Sequence, residues 1–203
     1  GAKDARMSRI GQVYKMYQEE LKKADAMDFD DMIVNTVRLL EDFPDVRDYY
    51  QRRFRYVMVD EYQDTNHAQF RLTQLLAEGH QNICVVGDDD QSIYRFRGAT
   101  IENILSFEFQ FRNAVTIRLE QNYRSTQTIL DAANGVISYN TNRKGKNLWT
   151  DNGQGDKISV HTAYDEQEES TYITDKIAEN MSGGNAKFSD HAVLYRMNAQ
   201  SNS

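Results

Sequence analysis

The chain has 203 residues, enough to bury a substantial core and to hold one large or two small domains, of which two are expected. Its 31 acidic and 24 basic side chains leave a net charge of −7, which argues against a generally basic nucleic-acid binder, because duplex affinity comes chiefly from neutralised phosphates. A single cysteine excludes an internal disulfide and a cysteine zinc site, and no apolar run approaches the length needed to span a bilayer, so a cytoplasmic protein without membrane contact is expected.

In chain order, Ile10, Val13, Tyr14, Tyr17 and Leu21 recur at helical spacing on a charged background, which predicts an amphipathic helix over 6–22. A second helix is predicted over 27–43, with Phe29, Ile33, Val37 and Leu40 as its stripe and Asp28 as its cap. Residues 56–59 are nearly all apolar, the pattern of a strand buried on both faces of a parallel sheet, and they stop at Asp60-Glu61. Ala68, Leu72, Leu75 and Leu76 then share one helical face, with Asp64 or Thr65 placed to cap it. Residues 82–86 form another buried-strand run, with Cys84 read as a small buried hydrophobe. Gly87 and three aspartates halt that run, and Gln91 lies just beyond, completing a strand-helix-strand unit.

Next, Tyr94, Arg95, Phe96 and Arg97 alternate aromatic and cationic side chains. Aromatics beside arginines suit single-stranded nucleic acid, where base stacking is worth about 1–3 kcal/mol per base; burial of Tyr94 and Phe96 in the core is the competing reading. A short helix is predicted over 100–107 and a third strand over 115–119, whose end delivers Tyr123 and Arg124. A helix over 126–139 is expected to bury Ile129, Leu130, Ala133, Val136 and Ile137. An exposed loop over 140–156 carries Arg143, Lys144 and Lys146, read as a solvated loop before a DNA track. A strand over 157–163, a helix over 165–181 stopped by Ser182-Gly183-Gly184-Asn185, and a strand over 191–195 complete the pattern. The acidic residues Glu166, Glu168 and Glu169 at the start of that helix are helix-dipole chemistry. The four histidines show no metal-ligand spacing.

Ligands of an open parallel sheet sit beyond the carboxyl ends of its strands, so Asp60, Glu61, Asp88 and Gln91 are expected to converge on one crevice. Such a crevice suits a metal-bound phosphate. The first carboxylate, Asp60, can hold Mg²⁺, and the second, Glu61, can polarise an attacking water. Gln91, both donor and acceptor, can bond water and phosphate together. The plainer alternative is a strand end paired with nearby arginines, with at least two of Asp88, Asp89 and Asp90 forming a solvated turn.

The stretches VDEYQDTN, GDDDQSIYRFRGA, LEQNYRST and AVLYRMNAQS, in this order, resemble motifs of the superfamily 1 DNA helicases of the UvrD/PcrA/Rep type. FDDMI, NILSFE and NRKGKNLWT fit the same pattern, so the resemblance runs from about Met27 to the last residue. It implies an α/β fold with a RecA-like P-loop NTPase domain, 1A, incomplete over residues 27–121. The start of a second RecA-like domain, 2A, would follow over 122–203, and residues 1–26 would be a helical remnant of subdomain 1B. It further implies ATP and Mg²⁺ as cofactors, single-stranded and duplex DNA as partners, and a role in repair or replication. By resemblance Tyr123 stacks on the adenine and Arg124 reaches the γ-phosphate, while Phe96, flanked by Tyr94 and Arg97, stacks on a base of the translocating strand. Many members of the family have tryptophan at the Phe96 position; phenylalanine keeps the stacking with less surface.

No GxxxxGK[ST] run occurs in the chain, so the backbone cradle and lysine for the β- and γ-phosphates are missing from it. The chain is therefore expected to be an internal fragment, cut at Gly1 and ending abruptly at Ser203, that cannot turn over ATP alone. Two rival readings remain: a metal-dependent nuclease or phosphatase using Asp60, Glu61 and Asp88 directly, and a non-catalytic DNA-binding module.

Overall fold

The computed structural model describes residues 2–141, 143–184 and 186–202, so the expected helix stop at Asn185 lies outside the described residues, as do Gly1, Asn142 and Ser203. At its centre, strands β1 (Val57–Val59) and β2 (Ile83–Val85) pair in parallel, with Val57 opposite Ile83 and Val59 opposite Val85. Helix α4 (His67–Ala77) connects them, because a parallel pair cannot be closed by a tight turn. The expected strand-helix-strand unit is thus present.

Helix α1 (Ala2–Lys23) leads, through Asp28, into α2 (Phe29–Asp42). Asp28 caps α2 as anticipated: its carboxylate accepts from the Asp31 N–H at 2.8 Å, and Asp31 answers from its own side chain. Tyr17 ties α1 to this cap by donating to Asp28 at 3.0 Å. Of the rest of the α1 stripe, Ile10, Val13 and Tyr14 are exposed and Leu21 is half-buried.

Leu40 of α2 and Leu75 of α4 are fully buried, and Phe70 and Ala77 extend this core along α4. Helix α3 (Pro44–Arg53) packs against both of these helices, which also contact each other directly, and its Gln51 donates to the Leu75 carbonyl at 2.7 Å. This helix was not anticipated, since its residues carry no apolar stripe; Pro44 starts it, where a missing N–H costs nothing.

Several expectations are corrected. The cap of α4 is Asn66, which forms a reciprocal box with Gln69, and not Asp64 or Thr65. Residues Tyr62–Asp64 wind into a single 3₁₀ turn first, which delays the helix and turns Thr65 into the interior. The sheet is covered on one face only. Val57, Val59, Ile83 and Val85 turn towards the helices, while alternation sends Tyr56, Met58 and Cys84 to a face that no described element covers. Cys84 is therefore exposed, contrary to its reading as a core residue.

The segments 115–119, 157–163 and 191–195 are not strands. A strand exists only through a ladder, and alternating residues supply the preference for one but not the partner. Val115, Ile117 and Leu119 accordingly lie exposed, and only a one-residue parallel bridge, Gln121 to Trp149, follows them. Short helices α5 (Glu102–Leu105) and α6 (Phe107–Gln110) fall close to the expected 100–107 element. Helix α7 (Gln127–Ile137) forms where predicted but buries only Leu130 fully, leaving Ile129 and Val136 exposed. Helix α8 (Glu166–Ser182) is capped by Asp165. No described helix is long and apolar enough to cross a membrane.

Candidate functional site

The carboxyl end of β1 is Asp60, and the chain turns sharply at Glu61, whose backbone sits in the left-handed region at φ 49°, ψ 42°. A residue with a Cβ rarely adopts this conformation, and such strain persists only where surrounding bonds hold it. Here the Glu61 N–H donates to Asp60 Oδ1 at 2.9 Å, and the Glu61 carbonyl accepts from the Asp64 N–H at 2.9 Å. The turn drops Tyr62 and Gln63 into the interior while leaving the Asp60 and Glu61 carboxylates exposed. Tyr62 packs edge-on against Phe107, and burial pushes its phenol up to about 12.

Gln63 then links the two strand ends. Its Nε2 donates to Glu61 Oε2 at 2.8 Å, and its Oε1 accepts from the Asp88 N–H at 3.0 Å. Asp88 Oδ2 in turn accepts from Gln91 Nε2 at 2.7 Å. Glu61, Asp88 and Gln91 therefore belong to one hydrogen-bonded chain across the ends of β1 and β2, and Asp60 adjoins it. A cleft of about 410 Å³ opens beside Asp60 and Glu61, lined also by Val59, Asp64, Thr65 and Gln69; Asp88 and Gln91, expected in the same crevice, do not line it and reach it only through the Gln63 bonds. A larger cleft of about 520 Å³ lies at the opposite end of β2, by His80, Gln81 and Ile83, and lacks these carboxylates. Phosphate and metal chemistry needs the oxygen donors, so the smaller cleft is the candidate site.

Asp60 Oδ1 is engaged by the Glu61 N–H, and the remaining carboxylate oxygen stands at an exposed strand end, a hard donor of the kind Mg²⁺ prefers. Asp88, Asp89 and Asp90 also bring their oxygens within 4.8 Å of one another. Two of the three, Asp88 and Asp90, already have cations from within the chain, and Asp89 accepts a backbone N–H. Arg143 Nη2 pairs with Asp90 Oδ2 at 2.7 Å, Lys146 pairs with Asp88 and lies 3.7 Å from Asp90, and the Lys144 N–H donates to Asp89 at 2.6 Å. Burial alone would raise the Asp88 carboxyl, but hydrogen bonds from Lys146 and Gln91 outweigh it and hold the group below the usual range. The solvated readings of these two stretches are corrected: the aspartates are half-buried, and Arg143 and Lys146 of the loop are counterions of Asp90 and Asp88.

The aromatic turn is exposed, which removes the core reading of its side chains. Phe96 is 78% exposed, its ring lies 5.9 Å from that of Tyr94, and the Arg97 guanidinium sits within 5.7 Å of both rings. Gly98, at φ 86°, closes the turn in a conformation glycine tolerates. Directly after it, Ala99 bridges to Asn66, the Thr100 N–H donates to the Thr65 carbonyl at 3.2 Å, and buried Asn103 donates to the same carbonyl at 3.0 Å. The aromatic turn is thus anchored to the segment that follows Glu61.

Tyr123 and Arg124 occupy a separate turn, shaped by Asn122, whose Oδ1 accepts from the Arg124 and Ser125 N–H groups at 3.0 and 2.8 Å. Both side chains are exposed. Among the described residues, no hydrogen bond or ion pair joins them to Asp60, Glu61 or Gln91. Reasoning from sequence missed Gln63 and Asn103 and read Thr65 only as a candidate helix cap. All three are buried polar residues within or beside the motifs, and nothing in a single sequence marks a glutamine or asparagine as interior.

Acidic strand ends joined to a glutamine loop, with an exposed aromatic and arginine turn anchored nearby, define a parallel α/β unit with a polar rim at its strand ends. Residues 1–112 match the UvrD/REP helicase N-terminal domain, and residues 117–203 match the UvrD-like helicase C-terminal domain. The chain belongs to the UvrD/REP helicase family. It is 55% identical over 192 residues to the ATP-dependent DNA helicase PcrA of Bacillus subtilis (strain 168), covering 95% of this chain and 26% of that protein. It is 52% identical over 200 residues to the protein of the same name from Staphylococcus aureus (strain COL), covering 98% of this chain and 27% of the relative. The chain spans about a quarter of the length of the curated relatives it matches.

Proposed function

We propose that this chain works as part of an ATP-dependent DNA helicase that couples Mg-ATP hydrolysis to translocation on single-stranded DNA and to duplex unwinding. The observation that carries the reading is the hydrogen-bonded chain Glu61–Gln63–Asp88–Gln91 at the carboxyl ends of two parallel strands, in a chain whose relatives are named ATP-dependent DNA helicases. Residues 27–121 would contribute to one RecA-like domain and 122–203 to the next.

In this reading Asp60 holds Mg²⁺, which when bound offsets the charge of the phosphate oxygens. Glu61 accepts hydrogen bonds from the attacking water and orients it. Gln91, released from Asp88, contacts the γ-phosphate. Arg124 stabilises negative charge developing there, and Tyr123 stacks on the adenine. Phe96 stacks on a DNA base beside Tyr94 and Arg97. The anchorage of the aromatic turn on Thr65 and Asn66 gives the route from nucleotide to DNA, since a shift of the Glu61 turn moves both ends together.

The test is Glu61→Gln in a complete helicase carrying this stretch. Turnover is expected to fall by about 100-fold or more, with ATP and DNA binding retained; unchanged turnover would remove Glu61 from the role. By itself the 203-residue chain, which contains no GxxxxGK[ST] loop, is expected to show no DNA-stimulated ATPase.

A further inference from the structure

We infer that Gln63 is a positioning residue for hydrolysis, holding the Glu61 carboxylate in its working direction and tying it to the Asp88–Gln91 turn; this rests on the role proposed above for Glu61. Three observations carry it. Glu61 sits on a left-handed backbone and has an exposed side chain, so its carboxylate has no packing to fix it. The one side-chain donor that reaches this carboxylate among the described residues is Gln63 Nε2, at 2.8 Å, and Gln63 itself is only 1% exposed. A buried amide held at both ends is a rigid strut: its Oε1 is fixed by the Asp88 N–H at 3.0 Å, and its own carbonyl accepts from Ser92 Oγ at 3.3 Å.

The room for this strut is provided by Gly87. A Cβ at that position would come 2.5 Å from Gln63 Oε1 and 2.9 Å from Ile104 Cδ1, so any larger residue pushes the amide off its partners. The same two bonds give Gln63 a second consequence. When Gln91 leaves the Asp88 carboxylate to meet phosphate, any shift of the Asp88 backbone is passed by its N–H through one rigid amide to the group that orients water. Phosphate contact and water orientation are then one movement.

The experiment separates the two bonds of Gln63 in a complete helicase carrying this stretch, with steady-state ATPase measured at saturating single-stranded DNA. Gln63→Met removes both bonds at similar volume. Gln63→Glu keeps the acceptor for the Asp88 N–H; burial beside Glu61 keeps its carboxyl protonated and able to donate at neutral pH, and the donor is lost when it ionises at higher pH. Gln63→Met at every pH, and Gln63→Glu on the alkaline side relative to the unsubstituted enzyme, are expected to lower kcat by about 10–100-fold while the KM for ATP stays within about threefold, the pattern of a misdirected catalytic group. A Gln63→Glu variant with native kcat across that whole pH range beside a crippled Gln63→Met would show that Gln63 merely anchors the Asp88 turn, and would overturn the inference. Should Gln63→Met fail to fold, Gln63→Glu decides alone by the same criterion. Glu61→Gln, run in parallel, distinguishes the failures. If it abolishes turnover while both Gln63 variants keep native kcat, the inference falls and the functional reading stands; if it leaves turnover unchanged, the functional reading falls and takes the inference with it.

Discussion

Two acidic strand ends lie side by side in this protein, and the fold treats them differently. At the end of β1, Asp60 and Glu61 face solvent, and no salt bridge among the described residues reaches either one. At the end of β2, Asp88 and Asp90 are half-buried and answered by Lys146 and Arg143, more than fifty residues further along the chain. The residue type is the same, and the difference lies in whether the chain brings its own cations. A carboxylate left without a cation is available to a metal or a polarised water. One that is paired internally joins two parts of the chain and gives up that availability.

The sharpest way to break the closed end is Asp90→Ala, which leaves the Arg143 guanidinium buried and unpaired. The pair is 11% and 14% exposed, so removing one member is expected to cost about 3 kcal/mol, read as a lower denaturant midpoint of the 203-residue chain. Replacing Asp90 and Arg143 together by apolar residues of similar size should recover much of that loss; a loss of the same size would show that the pair does more than neutralise itself.

Beneath the open end, the Tyr62 hydroxyl is buried with no hydrogen-bond partner among the described residues. Tyr62→Phe is therefore expected to be neutral or to stabilise by about 1 kcal/mol, since it removes a desolvated polar atom. Its pH dependence carries a sign. The phenol ionises near 10 when unfolded and near 12 when folded, so stability is full below about pH 10 and drains as pH rises towards 12. Tyr62→Phe should remove that alkaline limb from a denaturation series; its persistence would place the ionising group elsewhere.

The smallest effect is at acid pH. Asp88 is held below its ordinary value, so the folded chain binds fewer protons than the unfolded one between the two values. The contribution is full above about pH 4, where free aspartate is ionised, and is lost as pH falls through the folded value. Asp88→Asn should flatten that acid limb, and an unchanged slope would contradict the ionic account of the closed end.

Much of the first half was legible because its signals are local. The apolar runs ending in carboxylates gave β1 and β2, the 3.6-residue stripes gave α2 and α4, and Asp28 announced a helix start. What failed was non-local. Asp88 and Lys146 are 58 residues apart, and nothing in either neighbourhood names the other. Residues 115–119 have the alternation of a strand, yet pairing depends on a neighbour that local pattern cannot supply. The bare side of the sheet, with Met58 and Cys84 exposed, departs from the two-sided burial that an apolar run suggests, because burial is set by what packs on a strand. The carboxylates of the site could be read from the motifs, whereas Gln63 could not, since a buried glutamine is recognised only by its partners.

The contrast between open and closed strand ends is tested most directly by single-turnover phosphate release in a complete helicase carrying this stretch, comparing Glu61→Gln with Asp90→Asn per folded molecule. The account predicts a rate lowered by about 100-fold or more for Glu61→Gln and kept within about threefold for Asp90→Asn. A normal rate with Glu61→Gln, or a collapse of the chemical step in well-folded Asp90→Asn, would contradict it.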